Sequence, residues 1–114
     1  MSIKIYHNPR CSKSRQALAL LQEKGIEPEV IEYLNTPPTA AELDAILNTL
    51  GLEPDALMRK GEDEYKAHVK GRQLTRNEAI ALMVKYPKLI ERPIVVAGSK
   101  VALGRPPELV LEII

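Results

Sequence analysis

The chain has 114 residues, of which 45% are hydrophobic and 27% charged, the balance of an ordinary globular domain. Its 16 Lys and Arg against 15 Asp and Glu leave a formal net charge of +1, so no basic excess indicates binding to nucleic acid or to a membrane surface. A single cysteine excludes an internal disulfide and is typical of the reducing cytosol. The sequence has neither the pattern of a signal peptide nor that of a membrane span, so we expect a cytoplasmic protein.

The start of the chain has the pattern of a strand, a helix and a second strand. Ile3 and Ile5 alternate with polar neighbours, which indicates a first strand. Apolar spacing predicts a helix from about Ser12 to Lys24 that stops at Gly25, and Glu29 to Leu34 follow as a second strand. The whole pattern has the length of a βαβ unit, so we expect two parallel strands joined by a right-handed crossover.

A predominantly helical segment follows at about 39–86. Two Thr-x-x-Glu capping boxes, at Thr39–Glu42 and at Thr75–Glu78, predict the starts of two helices. The charged stretch 62–71 between them is consistent with a short, solvated helix. We interpret the segment as an insertion into one domain of residues 1–114, rather than as a domain of its own.

The last part of the chain has the pattern of a hairpin and a helix. Ile94–Val96 reads as a compact apolar strand, Ala97–Ser99 as a turn, and Lys100–Leu103 as an antiparallel strand. Prolines favour a helix start, so Pro107–Ile114 is predicted to be a final helix. Its apolar residues are expected to pack on the sheet: Leu109, Val110, Ile113 and Ile114.

This order, β-α-β, helices, β-β-α, is the layout of a thioredoxin-like α/β domain with a mixed four-stranded sheet and a helical insertion. In that fold a reactive cysteine lies at the start of the first helix, the place that Cys11 takes here. A proline just before the third strand is typically cis and lies beside the thiol. Pro93 has that location.

The only cysteine, Cys11, lies in a polar, cationic stretch. Arg10, Lys13 and Arg15 are close to it in sequence, whereas an inert buried cysteine would have apolar neighbours. Nearby cations and the partial positive charge at a helix N-terminus both favour the thiolate, and N–H groups there also bind oxyanions. We therefore interpret Cys11 as a thiolate nucleophile beside an anion pocket.

The spacing around the thiol excludes two familiar chemistries. Cys11 and Ser14 form Cys-x-x-Ser, so the resolving cysteine of a dithiol oxidoreductase is missing. The phosphatase loop Cys-x5-Arg would need arginine where Ala17 stands. Whatever regenerates Cys11 must therefore come from outside the chain, most simply a small thiol or another redox protein.

We expect different roles for the two histidines. His7 either lowers the pKa of the thiol as an imidazolium or only shapes the turn, and the sequence leaves both open. His68 lies in the charged insertion and is expected to be solvated. One cysteine and two distant histidines do not make a metal site.

Three arginines fall at the boundaries of predicted elements: Arg59, Arg92 and Arg105. Loop ends often converge over a strand–helix junction, and guanidinium groups donate paired hydrogen bonds that suit tetrahedral oxyanions. Spacing alone leaves it open whether these arginines meet.

Four separated motifs, in this order, resemble the glutaredoxin-coupled arsenate reductase family along essentially the whole chain. The motifs are His7-Asn8-Pro9-x-Cys11-x-x-Ser14-Arg15, Leu57-Met58-Arg59-Lys60, Arg92-Pro93-Ile94-Val95 and Gly104-Arg105-Pro106. The resemblance implies that Cys11 attacks arsenate and that three arginines hold the oxyanion and the product: Arg59, Arg92 and Arg105. It also gives His7 a catalytic part in tuning the thiol, and the shared Cys motif assigns Ser14 and Arg15 to substrate binding.

The resemblance further implies a cycle with external electrons. The Cys11 thiolate displaces water from arsenate, glutathione then attacks and reduces As(V) to As(III), and glutaredoxin removes the glutathione from the mixed adduct as arsenite is released. The expected partners are thus arsenate, glutathione as co-substrate and glutaredoxin. No tightly bound cofactor, metal, nucleic acid or membrane is expected.

Two other functions remain open on the same scaffold. A glutathione-dependent thiol transferase would need Cys11 but neither Arg59 nor Arg105. Regulators resembling Spx bind RNA polymerase without arsenate turnover, and they often use a Cys-x-x-Cys switch, which Ser14 rules out here.

Overall fold

A computed structural model describes residues 2–114 of the chain, which divides into two compact units. The first unit consists of the residues up to Thr36 together with Arg92–Ile114, and the second is Pro37–Glu91. The predicted helical insertion at about 39–86 lies inside the second unit, and its membership of a single domain stays a prediction. None of the helices within residues 2–114 combines the length and the apolar character needed to cross a membrane.

The first unit is built on a four-stranded sheet in the order β2-β1-β3-β4. The strands are β1 (Ile3–His7), β2 (Glu29–Glu32), β3 (Ile94–Ala97) and β4 (Lys100–Leu103). β1 pairs with β2 in parallel, whereas the β1–β3 and β3–β4 pairs are antiparallel. The predicted mixed four-stranded sheet is therefore confirmed.

The second strand is shorter than the sequence predicted. β2 stops at Glu32, whereas the apolar pattern extended it to Leu34. The carbonyl of Glu32 accepts hydrogen bonds at 3.0 Å from the N–H groups of both Asn35 and Thr36. This turn ends the strand and leaves Leu34 exposed.

The helix α1 (Ser12–Glu23) follows β1, and the chain leaves it through Gly25 in the left-handed region at φ 77°. Its buried face joins the sheet in one apolar cluster, formed by Ile5, Ala17, Leu21, Val95 and Val110. Because β1 and α1 both pack into this cluster, the loop between them is held at two ends.

The last segment of the chain is a 3₁₀ helix over Pro107–Ile113, where the sequence predicted a helix to Ile114. Val110 is buried in the core and Ile113 packs against it, as expected. Ile114 is 42% exposed, so the prediction that it packs on the sheet is wrong. In a 3₁₀ helix residues three apart share a face, which puts 110 and 113 on the core side and 114 off it.

The second unit is helical, with α2 (Ala40–Leu50), α3 (Asp63–His68) and α4 (Arg76–Lys85). Short 3₁₀ helices lie at Pro54–Leu57 and Pro87–Leu89. α3 has no buried residue, which confirms the short solvated helix.

Both predicted capping boxes form. Thr39 accepts the N–H of Glu42 at 3.1 Å, and the Glu42 carboxylate accepts the N–H of Thr39 at 2.9 Å. The reciprocal distances at Thr75 and Glu78 are 3.2 Å and 2.9 Å. Each box satisfies two N–H groups that a helix start would otherwise leave unpaired.

One residue of the second unit makes a contact that the sequence did not predict. His68, expected to be solvated, stacks on Tyr86 with ring centroids 4.3 Å apart and planes 9° apart. The two rings come from different elements of the unit, so the sequence pattern of the charged insertion gave no signal for this contact.

Candidate active site

Cys11 immediately precedes Ser12, the first residue of α1. Its backbone is extended, with φ −94° and ψ 123°, the conformation of a residue that caps a helix. β1 ends at His7, and the turn that follows closes when the N–H of Cys11 donates to the carbonyl of Asn8 at 3.0 Å. Pro9 fixes φ inside that turn. Strand, turn and helix together therefore place the sulfur at the helix N-terminus.

Asn8 holds this turn through three groups. Its carbonyl accepts from Cys11, its side-chain Oδ1 accepts the N–H of Arg10 at 3.0 Å, and its own N–H donates to Oγ of Ser14 at 3.4 Å. Asn8 is buried. The motif that contains Asn8 assigns it no role, although asparagine at the first position of a turn is a known signal for this side-chain bond.

Ser14 and Arg15, assigned to substrate binding from the sequence motif, brace the loop in this structure. Ser14 is fully buried, with its hydroxyl accepting from Asn8. Arg15 donates from Nη1 to the carbonyl of Pro9 at 2.9 Å. Their contact with substrate stays a prediction, whereas their hydrogen bonds to the Cys11 loop are observed in the structure.

The environment of the Cys11 sulfur favours its charged form. Partial burial raises the pKa of the thiol, but the N–H of Ser14, the guanidinium of Arg92 and the N–H of Lys13 outweigh burial and lower the pKa from 9.0 to about 7. The neutral thiol is a weak acceptor and forms no cap hydrogen bond with the helix, so these donors act chiefly on the thiolate. About half of the thiol is therefore ionised at neutral pH.

Arg92 and Arg105 lie together in the first unit, a meeting that the sequence had left open. Nη1 of Arg105 donates to the carbonyl of Arg92 at 3.0 Å. The bond Arg92–Pro93 is cis, as expected for a thioredoxin-like fold, and so is the bond Arg105–Pro106, which was not predicted. Two of the three predicted arginines are thus brought to one place, and Arg92 also acts on the thiol.

Gly104 permits this close approach. Its N–H donates to the carbonyl of Pro93 at 2.8 Å. A Cβ at this position would lie 2.7 Å from Cγ of Pro93 and 3.2 Å from Cγ1 of Val110. Because no real Cβ tolerates 2.7 Å, only glycine fits here without a shift, and the shift would fall on the segment that carries both arginines.

Arg59, the third arginine, belongs to the second unit. Its Nη1 donates to the carboxylate of Glu91 at 2.8 Å, and its Nε donates to that of Glu62 at 3.3 Å. Its backbone N–H also donates to the carbonyl of Leu89 at 2.7 Å. The guanidinium, which has five N–H donors, is therefore fixed by two acids and keeps donors beyond those two bonds.

His7 is buried at the end of β1, directly opposite Glu32 in the parallel register. Burial lowers the pKa of this histidine, the Glu32 carboxylate raises it and Arg15 lowers it, so the net pKa lies below 6.5. The lowered pKa favours the neutral imidazole, and with it the interpretation in which His7 shapes the turn over the one in which it acts as a cation.

Taken together, the first unit presents a partly ionised thiol, helix N–H groups and a guanidinium at one point. That combination suits nucleophilic attack on an electrophile that carries negative oxygens. Within residues 2–114, no three acidic, His or Cys side chains are grouped so that they could bind a metal ion.

The chain is similar to known proteins over nearly its full length. It is 54% identical to the uncharacterized protein YfgD of Escherichia coli K12, over 98% of this chain and 96% of that protein. It is 49% identical to a protein named arsenate reductase from Neisseria meningitidis, over 93% and 92% of the two chains. The solved structure of an arsenate reductase from Vibrio cholerae superposes with a TM-score of 0.94 at 52% identity, covering 100% of this chain and 98% of that one.

The family model described as the ArsC family matches residues 6–113, a span that includes the Cys11 loop and all three arginines. The chain belongs to the ArsC family.

Proposed function

We propose that this protein is an arsenate reductase in which the Cys11 thiolate attacks arsenate, while glutathione and glutaredoxin supply the electrons. The observation that carries the proposal is the Cys11 thiol, whose pKa is lowered to about 7 by helix N–H groups and by Arg92. The names of relatives that are 41–49% identical point in the same direction.

An unpaired donor beside the thiol supports an oxyanion as the substrate. Nε of Arg92 is buried and has no hydrogen-bond partner among residues 2–114. A buried polar group without a partner is costly, and such groups often mark the place of a missing ion. An arsenate oxygen beside the sulfur would satisfy this donor and would neutralise part of the local positive charge.

The proposed reaction balances without a metal or a bound cofactor. The Cys11 sulfur forms a bond to arsenic while one arsenic–oxygen bond breaks, and that oxygen leaves as water. Glutathione then supplies the second sulfur. Oxidation of the two thiol groups to one disulfide releases two electrons, which reduce As(V) to As(III), and the arsenic leaves as arsenite. Because the chain has one cysteine, that disulfide cannot form within the chain; we assign it to Cys11 and glutathione, and glutaredoxin then removes the glutathione.

The arginines have distinct proposed roles. Arg92 acts on both the thiolate and the arsenate oxygens, and Arg105 supports the same place through its bond to the Arg92 carbonyl. For Arg59 the support is its place in the Leu57-Met58-Arg59-Lys60 motif, from which we infer contact with the oxyanion. Ser14 contributes its backbone N–H, since its hydroxyl bonds to Asn8.

The test is arsenite formation by the purified protein with arsenate, glutathione, glutaredoxin and NADPH-coupled glutathione reductase, with Cys11→Ser in parallel. We expect turnover that is lost in the variant and that falls when glutaredoxin is omitted. No arsenite from a folded protein with a reduced thiol would contradict the proposal.

The same preparations distinguish the alternative of a thiol transferase. Activity on a small organic disulfide that persists in Arg105→Ala, without any arsenate turnover, would favour that function instead.

A further inference from the structure

The first unit has a groove on the β2 side of the Cys11 loop. Its volume is about 310 Å³, at the lower end of the range for small-molecule sites. The groove lies at the carboxyl ends of the parallel strands β1 and β2, the edge at which α/β sheets commonly bind ligands. Its lining includes His7, Asn8, Arg10, Glu32 and Asn35.

The groove carries one charge of each sign. Arg10 and Glu32 are both exposed, and within residues 2–114 neither side chain forms an ion pair or a side-chain hydrogen bond. Every other lining residue is formally neutral at pH 7, since the pKa of His7 is lowered. The amides of Asn8 and Asn35 add donors and acceptors to the same groove.

The position of the groove links it to the nucleophile. Arg10 directly precedes Cys11, and consecutive Cα atoms are about 3.8 Å apart. Two extended residues of peptide span about 7 Å, so a short peptide with one end in this groove has the reach to bring a sulfur to the loop. A ligand matching the groove needs an ammonium for Glu32 and a carboxylate for Arg10, which is the charge pattern of a free amino-acid end.

We propose that this groove binds the zwitterionic amino-acid end of the peptide thiol that reduces Cys11, with Glu32 facing its ammonium and Arg10 its carboxylate. This inference rests on the proposed function for the choice of an external peptide thiol. The site is distinct from the oxyanion site, where Arg92 acts on the sulfur. It gives the protein a means to select a peptide thiol over a thiol without charges.

The test uses a probe that binds without reacting. S-methylglutathione keeps the ammonium and carboxylate of the γ-glutamyl end but has no free thiol. In amide NMR spectra of the whole chain, we expect its titration to shift Arg10, Leu34 and Asn35. Exposed ion pairs contribute modestly, so Glu32→Gln and Arg10→Ala are each expected to weaken binding about threefold.

Two controls sharpen the result. Glu29→Gln makes the same substitution on the same strand outside the groove, and it should bind the probe like the wild type. N-acetylated S-methylglutathione lacks the ammonium, and its affinity should be the same for the wild type and for Glu32→Gln.

Probe shifts that fall elsewhere, or equal affinity of Glu32→Gln and Glu29→Gln, would overturn the inference. Because binding is measured without arsenate, a protein that binds the probe in the groove yet makes no arsenite would support the groove while contradicting the proposed function.

Discussion

The two units hold their arginines by different means. In the first unit Arg105 bonds to a backbone carbonyl of Arg92, and Arg92 acts on the Cys11 sulfur. In the second unit Arg59 is held by the carboxylates of Glu62 and Glu91. A carbonyl orients a guanidinium without cancelling its charge, whereas two carboxylates orient it and also compete with any anion. The comparison predicts that Arg105 keeps its charge available to an anion, whereas the charge of Arg59 is largely offset by its two acids.

The largest loss of activity is expected from replacing the nucleophile, Cys11. Cys11→Ser should lower arsenate turnover at least about a thousandfold, because a serine hydroxyl stays protonated at neutral pH and lacks the nucleophilicity of a thiolate. The measurement is arsenite formed per protein in the coupled assay. Ser12→Ala, at the exposed residue directly after Cys11, serves as the matched control for the loop. Retained turnover in Cys11→Ser would remove the nucleophile from the mechanism.

The next effect tests whether the charge of Arg92 is available to the sulfur. Arg92→Ala should raise the pKa of Cys11 from about 7 toward 9.0, because the thiolate loses a guanidinium partner. The pH dependence of alkylation by iodoacetamide gives the midpoint directly. We also expect turnover to fall about a hundredfold, the typical cost of one lost donor at a developing charge.

An exposed arginine of the second unit provides the control for Arg92. Arg72→Ala should leave the alkylation midpoint unchanged, since Arg72 donates to the carbonyl of His68 instead. Equal midpoints in Arg92→Ala and wild type would show that the guanidinium does not control the thiol.

A third prediction concerns the contact that brings Arg92 and Arg105 together. Gly104→Ala forces a Cβ to within 2.7 Å of Pro93 and should cost about 1–3 kcal/mol in the free energy of unfolding. Because the displaced segment carries both arginines, the KM for arsenate should rise as well. Gly61→Ala is the control, because nothing lies within 4 Å of its added Cβ. An unchanged KM in Gly104→Ala would show that the close contact of Gly104 with Pro93 is not needed for arsenate binding.

The smallest effect is expected in the second unit. Glu91→Gln removes one of the two carboxylates that hold Arg59 and should change the KM for arsenate only a few-fold, since partly exposed ion pairs contribute little. The change should diminish at high salt, which screens the remaining pair with Glu62. A hundredfold change would show that the second unit, not the first, dominates substrate binding.

The lowered thiol pKa also links stability to pH. A group that is more acidic in the folded state stabilises that state in its ionised form. The Cys11 contribution is thus fully present above the unfolded value near 9.0 and is lost as the pH falls through about 7. The difference in unfolding free energy between wild type and Cys11→Ser should therefore increase from pH 6 to pH 9. A constant difference would contradict the lowered pKa.

The sequence predicted most of the architecture because its signals are local. The two Thr-x-x-Glu boxes, the glycine after α1 and the alternation in β1 each depend on residues within a few positions of one another. The place of Cys11 at a helix start follows in the same way from the strand before it and the apolar face after it.

Contacts between distant residues were beyond such reasoning. Arg59 and Glu91 are 32 positions apart, so nothing local in the chain pairs them. The burial of Ser14 and the three bonds of Asn8 depend on how the turn closes in space. Ile114 was misplaced because the final helix has the tighter 3₁₀ period, which an apolar pattern of seven residues does not distinguish.

The end position of β2 in the sheet bears on how copies of the protein behave when crowded. Within residues 2–114, one edge of this strand has no neighbouring strand, and an open edge is a template for pairing with another chain. Val30 is 44% exposed there, which would make such pairing more favourable. Glu29 and Glu32 flank it and are exposed, so two copies aligned edge to edge would bring like charges together. The charges on this strand thus disfavour edge-to-edge aggregation of the protein.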